Sequence, residues 1–88
     1  MDLMLAKSKA GHDIKKVYVV VREEDEYLYL ANGTTKLLSN PKKKKKIHLQ
    51  LIKKIPSNVF EDINDVETLD DMKIKRILKS YNRRNEDV

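Results

Sequence analysis

Apolar residues repeat with two different periods along this chain, and the change falls near Pro56. Before it, short apolar runs alternate or carry β-branched residues. Lys16-Val17-Tyr18-Val19-Val20-Val21-Arg22 has strong strand character, with Val17, Val19 and Val21 on one face. Glu26 to Ala31 is a second strand, with Leu28 and Leu30 on one face and Tyr27 and Tyr29 on the other. Glu23-Glu24-Asp25 reads as a solvated connection between them. Asn32-Gly33 follows, and Asn-Gly between apolar runs predicts a type I′ hairpin turn with Thr34 to Leu38 as the return strand. Leu3 to Lys7 is a weaker strand. In Ile47-His48-Leu49-Gln50-Leu51 the alternation places Ile47, Leu49 and Leu51 inward, with His48 and Gln50 outward. Five short strands in the first 55 residues predict a small closed or nearly closed barrel, which also removes exposed sheet edges.

After Pro56 the period lengthens. Ile74, Ile77, Leu78 and Tyr81 fall at i, i+3, i+4 and i+7, so a helix is predicted over 70–82, capped by Thr68 or Asp70. It is expected to dock on the barrel over Tyr18 and Val20. Residues 56–69 form a linker whose Ser57 to Asp65 stretch holds a short helical turn carrying Val59, Phe60 and Ile63, and 83–88 is a frayed tail. The fold class is therefore mainly β, a small barrel of about five strands with a C-terminal α-helix packed on it.

Composition narrows the function. The chain has 88 residues and room for one small core. Its net charge of +5 is a remainder: residues 1–55 carry thirteen bases against six acids, and residues 56–88 carry six bases against eight acids. Most of the surplus is the run Lys42-Lys43-Lys44-Lys45-Lys46, directly after Asn40-Pro41. Lys9, Lys15 and Lys16 flank a second candidate loop containing Gly11, His12 and Asp13, where Gly11 tolerates positive φ. Cysteine is absent, which excludes disulfides and thiolate metal sites. No apolar run reaches the roughly 20 residues of a membrane helix. No secretory leader is expected from the acidic start Met1-Asp2-Leu3-Met4. No nucleophile–base set is visible, so an enzyme is not expected. The expectation is a cytoplasmic monomer without metal, cofactor, small-molecule substrate or membrane attachment.

Ser8-Lys9-Ala10-Gly11-His12-Asp13 followed by Val17 to Val21 resembles a KOW motif. Nearly the whole chain, more weakly over residues 53–68, resembles bacterial KOW-domain RNA-binding proteins related to a KOW group of large-subunit ribosomal proteins. Asn32-Gly33 matches that family's hairpin turn, Pro41 to Leu49 its Pro-Lys-rich segment ending in His-Leu, and Asp71 to Leu78 its terminal helix. It departs from the pattern after Asp13, where Ile14-Lys15-Lys16 replaces a second glycine, and in the first strand, where Met4-Leu5-Ala6 stands in place of a glycine. The resemblance implies an SH3-like barrel that binds RNA, with ribosomal RNA and the ribosome as the expected partners.

The residues expected to contact RNA are Lys9, Gly11, His12, Lys15, Lys16, Lys42, Lys43, Lys44, Lys45, Lys46 and His48. Lysine suits phosphate as a mobile point charge, and releasing condensed counterions supplies much of the affinity. Extended, the five-lysine run spans about 16 Å. Bland rivals exist for each: a lysine run also serves as a solvated edge or a nuclear localisation signal, and His48 as an idle surface group. Tyr27 and Tyr29 either stack on bases or pack against the helix or barrel rim, and packing is the commoner use. The alternative function is a protein-interaction module docking on the transcription or translation machinery, since one barrel hosts both uses. An anionic membrane surface ranks below both, because no basic amphipathic helix or lipidation motif accompanies the lysines.

Overall fold

The computed structural model describes residues 4–9, 16–52 and 69–86, with side chains as far as 82 in the last segment. The expected helical turn over 57–65 lies outside the described residues. Five strands, β1 (Leu5–Ser8), β2 (Val17–Glu24), β3 (Tyr27–Ala31), β4 (Lys42–Lys45) and β5 (Leu49–Ile52), form one sheet. Its order is β4-β3-β2-β1-β5 and every neighbouring pair is antiparallel. A single 3₁₀ turn, Lys46–His48, carries the chain from one outer strand to the other. The sheet curls over its own inner face: Lys44 on β4 donates from Nζ to Ser8 Oγ on β1 at 2.6 Å, although β3 and β2 separate them in the ladder. The helix α1 (Asp71–Glu86) packs on the outer face. This is the small barrel-like β fold with a C-terminal helix that the hydrophobic pattern predicts.

Around Val19 the sheet is buried on both sides, which explains the unbroken apolar run in the first half of β2. Inside, Ala6, Tyr18, Val20, Leu28, Leu30 and Leu49 form one core, with Met4 against it. Burial pushes the Tyr18 phenol above its ordinary pKa. Outside, Leu5, Val19 and Ala31 meet Ile74, Ile77 and Leu78 of α1, flanked by Val17, Val21 and Tyr81. The helix thus covers the Val19 face, not the Tyr18 and Val20 face expected from the sequence. The curl of the sheet already closes over Tyr18 and Val20, leaving the valine face as the apolar surface in need of a cover. The helix also runs to Glu86, four residues past the predicted 82.

Two turns exchange roles. The two-residue hairpin is Asp25-Glu26, joining Glu24 to its partner Tyr27, with Asp25 at φ 52°. Aspartate tolerates that left-handed backbone better than most residues. Asn32-Gly33 instead opens a wide loop, and Thr34 to Leu38 is not a strand; the strand pairing with β3 is the lysine run itself. The Asn32 carboxamide explains the loop. Its Oδ1 accepts the N–H groups of Thr34 and Lys36 at 3.0 and 2.8 Å, and its Nδ2 donates to Thr35 Oγ1 at 3.0 Å. Such an Asx arrangement takes up donors that a ladder would need.

The wide loop is fastened to the helix. Gly33, at φ 78°, passes so close that a Cβ there would collide with the Asp71 carbonyl oxygen. Leu38 N–H donates to Asp71 Oδ1 at 2.9 Å. Asp70 is the helix cap, accepting Lys73 N–H at 2.7 Å.

Candidate functional site

In β4 the lysines alternate, as any strand must. Lys42 and Lys44 are half-buried toward the inner face, opposite Leu30 and Leu28. Removal from water, with Lys44 adding like-charge repulsion, lowers the Lys42 pKa. Lys43 and Lys45 are exposed on the outer face, opposite Tyr29 and Tyr27. Lys46 begins the 3₁₀ turn and pairs with Glu23. The run is therefore no ladder of five equivalent charges: two side chains face outward beside tyrosines, two face inward, and one is neutralised.

The outer face of β2, β3 and β4 assembles two adjacent rows. One is Arg22, Tyr29 and Lys43; the other is Glu24, Tyr27 and Lys45. Both tyrosines are half-buried and belong to neither core. They continue the face on which Ala31 is buried under α1, but among the described residues they do not join the core beneath the helix. The Tyr29 hydroxyl donates to Glu24 Oε2 at 3.4 Å, and cations stand over both rings. Lys43 Nζ stands 4.4 Å from the Tyr27 ring centre and 6.0 Å from that of Tyr29, and the Arg22 guanidinium stands 5.3 Å from Tyr29. Arg22 also pairs with Glu24 at 3.0 Å. Carboxylates gather at the hairpin end, where Glu23, Glu24, Asp25 and Glu26 lie in or beside the turn, so the face is basic toward Lys43 and acidic at its tip.

Arg22 reaches this face through a β-bulge. Val20 pairs with Leu30 but Arg22 pairs with Tyr29, so Val21 is the extra residue. Without it, Arg22 would oppose Leu28 and point into the core. Bulges commonly re-aim a side chain in this way. Nothing in the local sequence marks the bulge, so Arg22 escapes a reading by simple alternation. The tyrosine face is legible from alternation; its place outside both cores is not, because that depends on where the helix docks.

A second basic group forms where β1 ends, β2 begins and the 3₁₀ turn closes. Lys9 N–H donates to the His48 carbonyl and Ser8 N–H to the Lys16 carbonyl, each at 2.9 Å. These bonds bring Lys9, Lys16 and His48 of the predicted set together. Gly11, His12 and Lys15 lie outside the described residues. Ile47, expected inward, is 71% exposed, because the 3₁₀ turn interrupts the period of two before it reaches Leu49. Leu49 is buried as expected, and Leu51 keeps the inward register but stays 36% exposed.

Among the described residues no helix is long and apolar enough to cross a membrane. No protein-family model matches the chain, and no curated protein is significantly similar to it.

Proposed function

We propose that this chain is a non-catalytic RNA-binding protein of the KOW kind, acting in the cytoplasm on structured RNA and foremost on ribosomal RNA. The observation that carries the reading is the juxtaposition of Arg22, Lys43 and Lys45 with the half-buried rings of Tyr27 and Tyr29 on one sheet face. Cations interleaved with aromatic rings suit a phosphodiester chain whose unpaired bases can turn onto the rings.

Magnitudes favour the exchange. An exposed cation–π contact is worth about 0.5–1 kcal/mol. Stacking a base on an aromatic side chain is worth about 1–3 kcal/mol. A base that displaces the Lys43 ammonium from Tyr27 therefore gains more than it removes, and the freed ammonium is left beside the nucleotide's own phosphate. The acidic hairpin tip repels phosphate, so the backbone approaches from the Lys43 side.

The test replaces Lys43 and Lys45 together by Gln. Lys44 is spared because its bond to Ser8 would confound the result. Affinity for an RNA hairpin with an unpaired loop is measured across a salt series. Each lost phosphate contact should flatten the slope of log K against log salt by about 0.7–0.9, so the double variant should lose about 1.5 in slope. An unchanged affinity and slope would refute the reading.

A further inference from the structure

The face just described leaves a second cationic surface unused. An open groove of about 790 Å³ runs between α1, the start of β2 and the Asn32 loop. Val17 and Leu78 contribute its apolar lining. Lys16, Lys75 and Lys79 supply three ammonium groups, and none of its lining residues is acidic. Lys75 and Lys79 stand one helical turn apart and are exposed, a like-charge pair that is unfavourable in an isolated helix. The nearest acid on the helix, Asp71, lies one turn before Lys75 and has an oxygen occupied by Leu38 N–H.

Neutral donors line the same groove. Thr35 Oγ1 accepts from Asn32 Nδ2, which leaves the hydroxyl proton to donate elsewhere. Asn82 extends the stripe of Lys75 and Lys79 by about a further turn. The volume is within the range of small-molecule sites, but those are mostly apolar. Three ammoniums with amide and hydroxyl donors match phosphate oxygens instead.

We infer that this groove is a second phosphodiester-binding site, in which Lys75, Lys79 and Lys16 hold RNA backbone phosphates with Thr35 and Asn82 as neutral donors. This rests on the RNA reading above and extends it to a surface that shares none of its residues. The two surfaces flank the helix along β2: the groove lies at Val17, the tyrosine face at Arg22, and five residues of strand separate them by about 16 Å. An RNA of several nucleotides is long enough to engage both.

The experiment compares the full chain with Lys75→Gln/Lys79→Gln and with Lys43→Gln/Lys45→Gln. Each is titrated with the same RNA hairpin across a salt series, and circular dichroism confirms the helix. The groove variant should keep its helix, bind roughly tenfold more weakly and lose about 1.5 in salt slope. Wild-type affinity and slope in the groove variant, beside a weakened Lys43→Gln/Lys45→Gln protein, would overturn the groove and leave the RNA reading standing. A weakened groove variant beside an unaffected Lys43→Gln/Lys45→Gln protein would support the groove and overturn the tyrosine face. A wild-type chain that binds no RNA hairpin overturns both.

Discussion

Side chains that look equivalent along the lysine run differ once the strand assigns them to faces. Lys42 is the extreme case, because partial burial and the Lys44 charge both weaken its hold on a proton. Its folded pKa lies below the ordinary lysine value of 10.5, so the unfolded chain binds more protons in the window between the two. Stability contributed at this site therefore rises as pH climbs through that window, and the cost of the charged form is present below it. Lys42→Met should remove this titration. The wild type should therefore gain stability relative to the variant, read from denaturation midpoints, as pH climbs toward 10.5. A constant difference across that range would contradict this assignment. Gly33 makes a sharper demand. Its positive φ and its contact with the Asp71 carbonyl both exclude a Cβ, so Gly33→Ala should destabilise by more than about 1 kcal/mol in a denaturant titration. Asn-Gly does mark a turn in the sequence. What local reading misses is that the glycine faces a helix carbonyl almost forty residues away, a contact with no trace in the dipeptide.

At the level of elements, the helix and the sheet explain one another. Val17, Val19 and Val21 look in sequence like the inward side of β2, with Tyr18 and Val20 outward; both faces are apolar, so periodicity alone cannot tell which one the sheet closes over. The curl of the sheet decides, and α1 takes the valine side. The helix itself is legible because its i, i+3, i+4, i+7 pattern is read from its own residues. Its docking should rest on Ile77, which is fully enclosed against the outer core. Ile77→Ala should cost about 2–5 kcal/mol. Asp70→Ala, which removes only the cap bond to Lys73, should cost about 1 kcal/mol. Chemical denaturation of the two variants tests the ranking, and equal losses would mean that packing against the sheet contributes no more than the cap. The β4 strand shows the opposite limit of legibility. A run of lysines has low strand propensity, and pairing with β3 overrides it. Lysine is also a residue that natural sheets place on edge strands to discourage pairing with other chains. Protection of the edge and exposure of Lys43 and Lys45 are thus met by the same residues.

Across the whole molecule, the net charge conceals a division of labour between charge and aromatic surface. The hairpin tip is acidic, the outer face beside it carries Arg22, Lys43 and Lys45, and further cations lie past the helix at Lys16, Lys75 and Lys79. If RNA is bound as proposed, affinity has two components that respond differently to salt. Lysine contacts release counterions and set the slope; stacking on Tyr27 and Tyr29 displaces no counterion and shifts affinity by a constant factor. Tyr27→Ala and Tyr29→Ala should each weaken binding to a hairpin with an unpaired loop by about 1–3 kcal/mol, roughly five- to 150-fold, while leaving the salt slope at its wild-type value. A fully paired duplex offers no free base, so the same substitutions should hardly change its affinity. The two rings lie outside both cores, so the folded state should survive their removal with little loss. Equal losses on looped and duplex RNA would show that the tyrosines support the positions of Arg22 and Lys43 without stacking on bases. A slope that falls with the rings would show the same, because it would mean that the cations had moved.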